Sequence, residues 1–176
     1  MNNRKVYISG EIVPEVDAKI SIFDSAVLLG DTVTESTRTF NFKPFKLDEH
    51  LERLYKSFKL TRIDPQMTIE EMKKVSLELL EINKDNYKTN EDCWLVHNIS
   101  RGHSITGGNP ALQVSKPTVM IYTQPMNLVL WAPFYTKGCH AVTPPTRMVP
   151  SQSLDARIKN RSRLFYTLAE IEAKLV

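Results

Sequence analysis

The stretch from Leu154 to Val176, LDARIKNRSRLFYTLAEIEAKLV, constrains this chain more than any other. Four cations, Arg157, Lys159, Arg161 and Arg163, fall close together. An apolar series then begins at helical spacing, Leu164, Leu168, Ile171 and Leu175, and predicts one face of an α-helix. The acids Glu170 and Glu172 come later. That charge order opposes the helix dipole, which favours acids first and bases last. If the helix started early, Arg157/Arg161 and Lys159/Arg163 would also repel at i,i+4. A broken local rule points to a functional need, such as a phosphate or carboxylate facing the helix start. The plain alternative is a basic, solvated helix start.

Composition sets the frame. The chain has 176 residues, 41% apolar and 24% charged, ordinary for a soluble globular protein. A net charge of +3 and a pI near 8.8 neither demand nor exclude nucleic acid. Two cysteines, Cys93 and Cys139, make no disulfide framework, and a reducing compartment is the simplest reading. The start, MNNRKVYISGEI, has no apolar core of a signal peptide. No run reaches the roughly 20 apolar residues that span a bilayer. The expectation is a cytoplasmic protein with no membrane and no nucleic-acid partner.

Along the chain, Val6–Ile8 and Glu11–Val13 flank Ser9-Gly10 and predict a β-hairpin. Thr32–Phe40 is rich in Thr and β-branched residues and predicts a strand. Val33, Glu35, Thr37 and Thr39 fall on one face, Thr34, Ser36, Arg38 and Phe40 on the other. Glu35 and Arg38 inside such a strand need partners or a wet cavity, unless this is an edge strand with solvated charges. Asn41–Pro44 reads as a turn, and Asp48 as the N-cap of a helix with Leu51, Leu54, Tyr55 and Phe58 on one stripe. Thr68–Glu71 is a capping box opening a helix through Met72, Val75, Leu79 and Ile82. Cys93–Ser100 and Thr118–Thr123 predict strands, with a loop between them and a break at Gln124–Met126. Cys139–Thr143 predicts another strand. His97 has no metal-spaced neighbours and reads as a core or surface histidine. No P-loop, GxGxxG or CxxC occurs.

Two segments resemble a known family. Ile158-Lys159, a polar run, Leu164 and Leu168–Ala173 look like the lysine segment of the fold-type IV pyridoxal-phosphate enzymes. These are the class IV aminotransferases, which include branched-chain and D-amino-acid aminotransferases and their relative aminodeoxychorismate lyase. Gly30-Asp31, Glu35, Arg38, the Asn41–Pro44 turn, His50 and Arg53-Leu54 follow the family's second pattern, in the same order. The resemblance implies an α+β chain of the α/β two-domain kind: an N-terminal domain over 1–125, and a linker with the first part of the cofactor domain over 126–176.

It also implies roles. Lys159 would be catalytic and would bind pyridoxal 5′-phosphate through a Schiff base. Arg53 would bind the cofactor phosphate, which suits a planar guanidinium. His50 reads as structural. Thr34 and Arg38 would lie on the substrate side. Thr34 stands where an aromatic residue is usual, so the substrate class stays open. The Arg-x-His carboxylate trap of D-amino-acid aminotransferases would fall at Thr106 and Gly108 and is missing, which argues against D-alanine. A neutral amine is needed at Lys159, against lysine's usual pKa of ~10.4; burial and nearby cations act in that direction. The implied reaction is transamination of a branched-chain amino acid with a 2-keto acid by a homodimer. Because family members continue further, the chain is expected to be an amino-terminal fragment or truncated product with little activity of its own. Two alternatives stay open: a pyridoxal-phosphate lyase of the aminodeoxychorismate type, and a non-catalytic module binding an anion through Arg157–Arg163.

Overall fold

The computed structural model describes residues 3–88, 91–103 and 116–175. Two compact units emerge. The first comprises Met1–Pro125 together with Arg157–Arg161; the second comprises Met126–Ala156 and Ser162–Val176.

The first unit is built on six strands: β1 (Lys5–Ile8), β2 (Glu11–Pro14), β3 (Thr32–Phe40), β4 (Lys43–Pro44), β5 (Cys93–Ser100) and β6 (Thr118–Pro125). They form one sheet in the order β2-β1-β6-β5-β3-β4, with every neighbouring pair antiparallel. The break expected at Gln124 comes after Pro125, because β5 supplies ladder partners as far as Cys93. Between β3 and β4, Asn41 and Phe42 both take positive φ, 49° and 61°. That is the twist a two-residue hairpin requires. Phe42 accepts the strain because its ring packs on Tyr87, centroids 5.1 Å apart.

One short helix, α1 (Ser25–Leu28), and two long ones, α2 (Leu47–Thr61) and α3 (Ile69–Asn83), belong to this unit. The long helices bury their stripes against one face of the sheet. Leu47, Leu51, Leu54 and Phe58 of α2 and Met72, Leu79 and Leu80 of α3 join Val33, Leu95, Ile99, Val119 and Ile121 in the core. The expected stripe of α3 is rotated: Ser76 and Asn83 are buried with it, and Ile82 is exposed. Asn83 explains the rotation, since its side chain pairs with both Lys5 N–H and Lys5 carbonyl, 2.7 and 2.9 Å, and so ties the helix end to β1. The Thr68–Glu71 capping box forms as expected. Asp48 is not a cap: α2 starts at Leu47 behind Lys46 in a left-handed conformation. Asp48 and Glu49 sit in the first turn, where acids complement the dipole. Gly102, at φ 99°, admits no side chain, because a Cβ would run into the Lys116 carbonyl.

The second unit holds α4 (Phe134–Lys137) and α5 (Leu164–Ala173). None of the residues in these helices is buried. The cations Arg157–Arg163 precede α5 and do not lie inside it, so the i,i+4 repulsion never arises. Cys139–Thr143 forms no strand, because a strand needs a neighbour to share its backbone hydrogen bonds, and none pairs with it among the described residues. No described helix is long and apolar enough to cross a membrane.

Candidate active site

The alternation of β3 puts Glu35 on the same face as Val33, Thr37 and Thr39, under α2. All four are buried. The apolar stripe of α2 fixes the helix's rotation. His50 and Arg53, one turn apart at the margin of that stripe, are thereby held over Glu35.

The lysine arrives from far along the chain. β4 covers only the Thr39–Phe40 end of β3. At the other end the open edge is taken by residues 159–161. Thr34 N–H donates to Lys159 carbonyl at 2.9 Å, and Arg161 N–H donates to Thr32 carbonyl at 3.0 Å. Asn160 bridges Val33. Lys159 N–H donates to Ser57 Oγ of α2 at 3.2 Å. Both backbone groups of Lys159 are therefore anchored, one to the sheet and one to a helix. Its side chain is left free to choose a partner.

That partner is Glu35. Lys159 Nζ donates to Glu35 Oε1 at 2.7 Å. Arg53 grips the same carboxylate with two parallel bonds, Nε to Oε2 and Nη2 to Oε1, each 2.7 Å. Ser36 N–H donates to Oε1 at 2.8 Å, and His50 Nδ1 lies 3.1 Å from it. Burial alone would raise the carboxyl's pKa. The donors from Arg53, Lys159 and Ser36 outweigh burial and hold it at about 2. Glu35 is fully buried, while the Arg53 side chain is 52% and the Lys159 side chain 28% exposed. The buried anion thus presents two cations to the outside.

Beside Glu35 on the ladder stands His97, also buried. Ser76 Oγ–H donates to Met72 carbonyl at 2.7 Å, and Ser76 Oγ lies 2.8 Å from His97 Nε2. With the hydroxyl proton so used, Nε2 is the donor, and Nδ1 has no partner among the described residues. Burial drives this imidazole's pKa down to about 4. His97 is the core histidine that its sequence context suggested.

Of the four residues singled out in the sequence, Lys159 and Arg53 meet on one carboxylate, and Thr34 touches Lys159 through its backbone. The Thr34 hydroxyl donates to His97 carbonyl at 3.0 Å. Arg38 lies four residues further along β3, roughly 13 Å away. Its guanidinium stacks on Phe40 at 3.8 Å and faces Asp92 at 4.0 Å. Thr106 and Gly108 lie outside the described residues. Sequence reading did not assign Glu35, His50 or Ser57 to the site. The signal for Glu35 was there, in a carboxylate on an otherwise inward strand face; Ser57 carried none. Among the described residues no group of His, Cys, Asp and Glu is arranged to hold a metal ion.

Residues 32–175 match the class IV amino-transferase family profile. The chain belongs to the class IV aminotransferases. It is similar to a putative branched-chain-amino-acid aminotransferase of Methanocaldococcus jannaschii, with 36% identity over 169 residues, 96% of this chain and 55% of that protein. It is also similar to a D-alanine aminotransferase of Staphylococcus epidermidis, with 32% identity over 120 residues, 68% of this chain and 41% of that one. Among solved structures, the branched-chain aminotransferase of Thermoproteus uzoniensis bound to norvaline superposes with a TM-score of 0.79 at 24% identity, covering 98% of this chain and 56% of that one. A branched-chain enzyme of T.th. bound to pyridoxamine 5′-phosphate superposes with a TM-score of 0.83 at 24% identity, covering 98% and 56%. The architecture is thus that of the fold-type IV aminotransferases, and it is branched-chain aminotransferase-like. This class IV chain spans about half the length of these relatives.

Proposed function

We propose that this chain carries the lysine of a pyridoxal-phosphate-dependent aminotransferase that acts on a branched-chain amino acid and a 2-keto acid. The single observation that carries the reading is the convergence of Lys159 and Arg53 on Glu35. The donor set fits such a cofactor: a half-buried primary amine suits an aldehyde, and a guanidinium with half its surface in solvent suits a phosphate. When bound, pyridoxal phosphate supplies that aldehyde and a ring that takes up electron density as the substrate's α-proton leaves.

The chain's own residues then divide the work. Lys159 Nζ would hold the cofactor through its amine and, once free again, would be the group that carries the substrate's α-proton. Arg53 offers its outward N–H groups to phosphate while Glu35 fixes its inner edge. The anchored backbone of Lys159 keeps Nζ within reach of β3, and proximity of this kind is a main source of rate. Thr34 and Arg38 are assigned to the substrate side. A homodimer in the cytoplasm is the assembly and setting that family membership supports best.

Adding pyridoxal phosphate to the purified chain should give a visible absorbance band, absent in Lys159→Ala. Borohydride should fix the added mass on Lys159. Labelling spread over other lysines would defeat the assignment. Following keto-acid-dependent amino transfer against pyruvate release separates a transaminase from a lyase.

A further inference from the structure

Glu35 Oε1 is crowded. It receives Arg53 Nη2 and Lys159 Nζ at 2.7 Å and Ser36 N–H at 2.8 Å, with His50 Nδ1 at 3.1 Å; Oε2 receives Arg53 Nε alone. A carboxylate offers about four lone-pair sites over both oxygens, so four neighbours on one oxygen exceed its share. The donors differ in how easily they leave. Ser36 N–H is fixed in the strand. Arg53 holds through a planar two-point fork. Lys159 holds by one flexible tip, and Glu35 is the one hydrogen-bond partner of Nζ among the described residues. Its Cα cannot follow, because the peptide groups are pinned to Thr34 and Ser57. The amine can therefore swing without moving the backbone.

We propose that Glu35 is the positioning residue of this site: in the unloaded protein its Oε1 parks Lys159 Nζ against β3, and the amine reacts only when it swings off that oxygen. The sequence places a carboxylate where it shields the reactive amine from stray electrophiles. The same carboxylate holds Arg53 ready for an anion. Displacing Lys159 relieves an over-subscribed oxygen and leaves the Arg53 fork intact, so release costs little. The parking stands on hydrogen-bond geometry alone; its link to cofactor capture rests on the function proposed above.

The test uses the full chain without cofactor. Brief reductive methylation with formaldehyde and borohydride, read by peptide mass spectrometry, compares Lys159 with the exposed Lys19 and Lys43. In the wild type Lys159 should react several-fold more slowly than either. Glu35→Gln keeps the shape but removes the charge that strengthens the bond, and should speed Lys159 alone by about five- to tenfold. A purely structural role for Glu35 would instead raise labelling at all lysines together, and that result overturns the proposal. Arg53→Gln removes the strongest competitor for the carboxylate and should slow Lys159 further, an opposite sign that misfolding cannot imitate. Equal labelling of Lys159, Lys19 and Lys43 in the wild type also overturns it, whatever the variants do. The visible band with pyridoxal phosphate is scored separately. Its absence removes the cofactor reading and leaves the parking result standing, and its presence with unchanged Glu35→Gln labelling does the reverse.

Discussion

The two units are made from similar amphipathic segments and reach different ends. In the first, the main apolar stripes meet a partner: α2 and α3 close over the sheet, and Leu51, Leu54, Met72 and Leu95 are fully buried. In the second, α5 forms with the expected spacing, yet Leu164, Leu168, Ile171 and Leu175 all face outward, Leu164 at 69% and Leu175 at 81% exposure. Helical pattern sets which residues share a face; only a second surface turns that face into a core, because most helix stability in proteins comes from packing. Lys159 illustrates the point. Its neighbours in sequence belong to the second unit, but residues 157–161 are drawn into the first by the open edge of β3. The Lys159 amine is thereby mounted on the better-packed unit.

Hydrogen exchange should show the largest contrast. Amides of β5, buried at the centre of the sheet, should exchange only through global unfolding, and those of α5 through local opening. Protection factors should then differ by about a thousandfold or more. Comparable protection in α5 and β5 would erase the distinction between the units. Side-chain truncation probes the same contrast. Leu54→Ala removes a fully buried side chain and should lower stability by about 2–5 kcal/mol in urea melts. Leu168→Ala, half exposed on α5, should change it by less than about 1 kcal/mol.

Much of this was legible in advance, for identifiable reasons. The β5 range Cys93–Ser100 could be read because β-branched and apolar residues run between turn signals, and it forms as expected. The α2 stripe was legible because Leu51, Leu54 and Phe58 keep one period. Lys159 and Arg53 came from resemblance, and no local rule could have paired residues so far apart. The buried Glu35 drew notice as an anomaly, but its role as their common partner depends on ladder register. Cys139–Thr143 failed as a strand because pattern carries no information on whether a neighbouring edge is available. Ile82 failed because the stripe turns towards Ser76 and Asn83, where Asn83 pairs with Lys5 of β1, and Asp48 because the helix starts two residues earlier than expected, behind the left-handed Lys46.

Acid should act on the first unit through two groups. Glu35 titrates at about 2 in the fold against an ordinary 4.5, so the unfolded chain binds its proton first. The stability it contributes is present above pH 4.5 and is lost as pH falls towards 2. His97 sits at about 4 against an ordinary 6.5; its contribution is present above pH 6.5 and is lost as pH falls towards 4. Each gap corresponds to about 3 kcal/mol. Urea midpoints should therefore fall in two stages below pH 6.5. His97→Gln, which can still donate to Ser76, should flatten the upper stage and leave the lower one. A wild-type profile flat from pH 6.5 to 4 would show that His97 is hydrated in the fold.

The smallest effect is expected inside the second unit. Thr146 N–H and its hydroxyl both donate to the Glu172 carboxylate, at 3.0 and 2.6 Å, which lowers that carboxyl's pKa and joins the loop at Thr146 to α5. The pair is only partly buried, so water competes for these bonds and their net gain is small. Thr146→Val removes the hydroxyl and keeps the backbone donor. Exchange in the last turn of α5 should quicken measurably, while the urea midpoint of the sheet and the labelling rate of Lys159 stay where they are. Lys159 is pinned by Thr34 and Ser57, both of the first unit. If the variant changed Lys159 labelling as well, the lysine would owe its position to the second unit after all, and the comparison drawn between the two would have to be reversed.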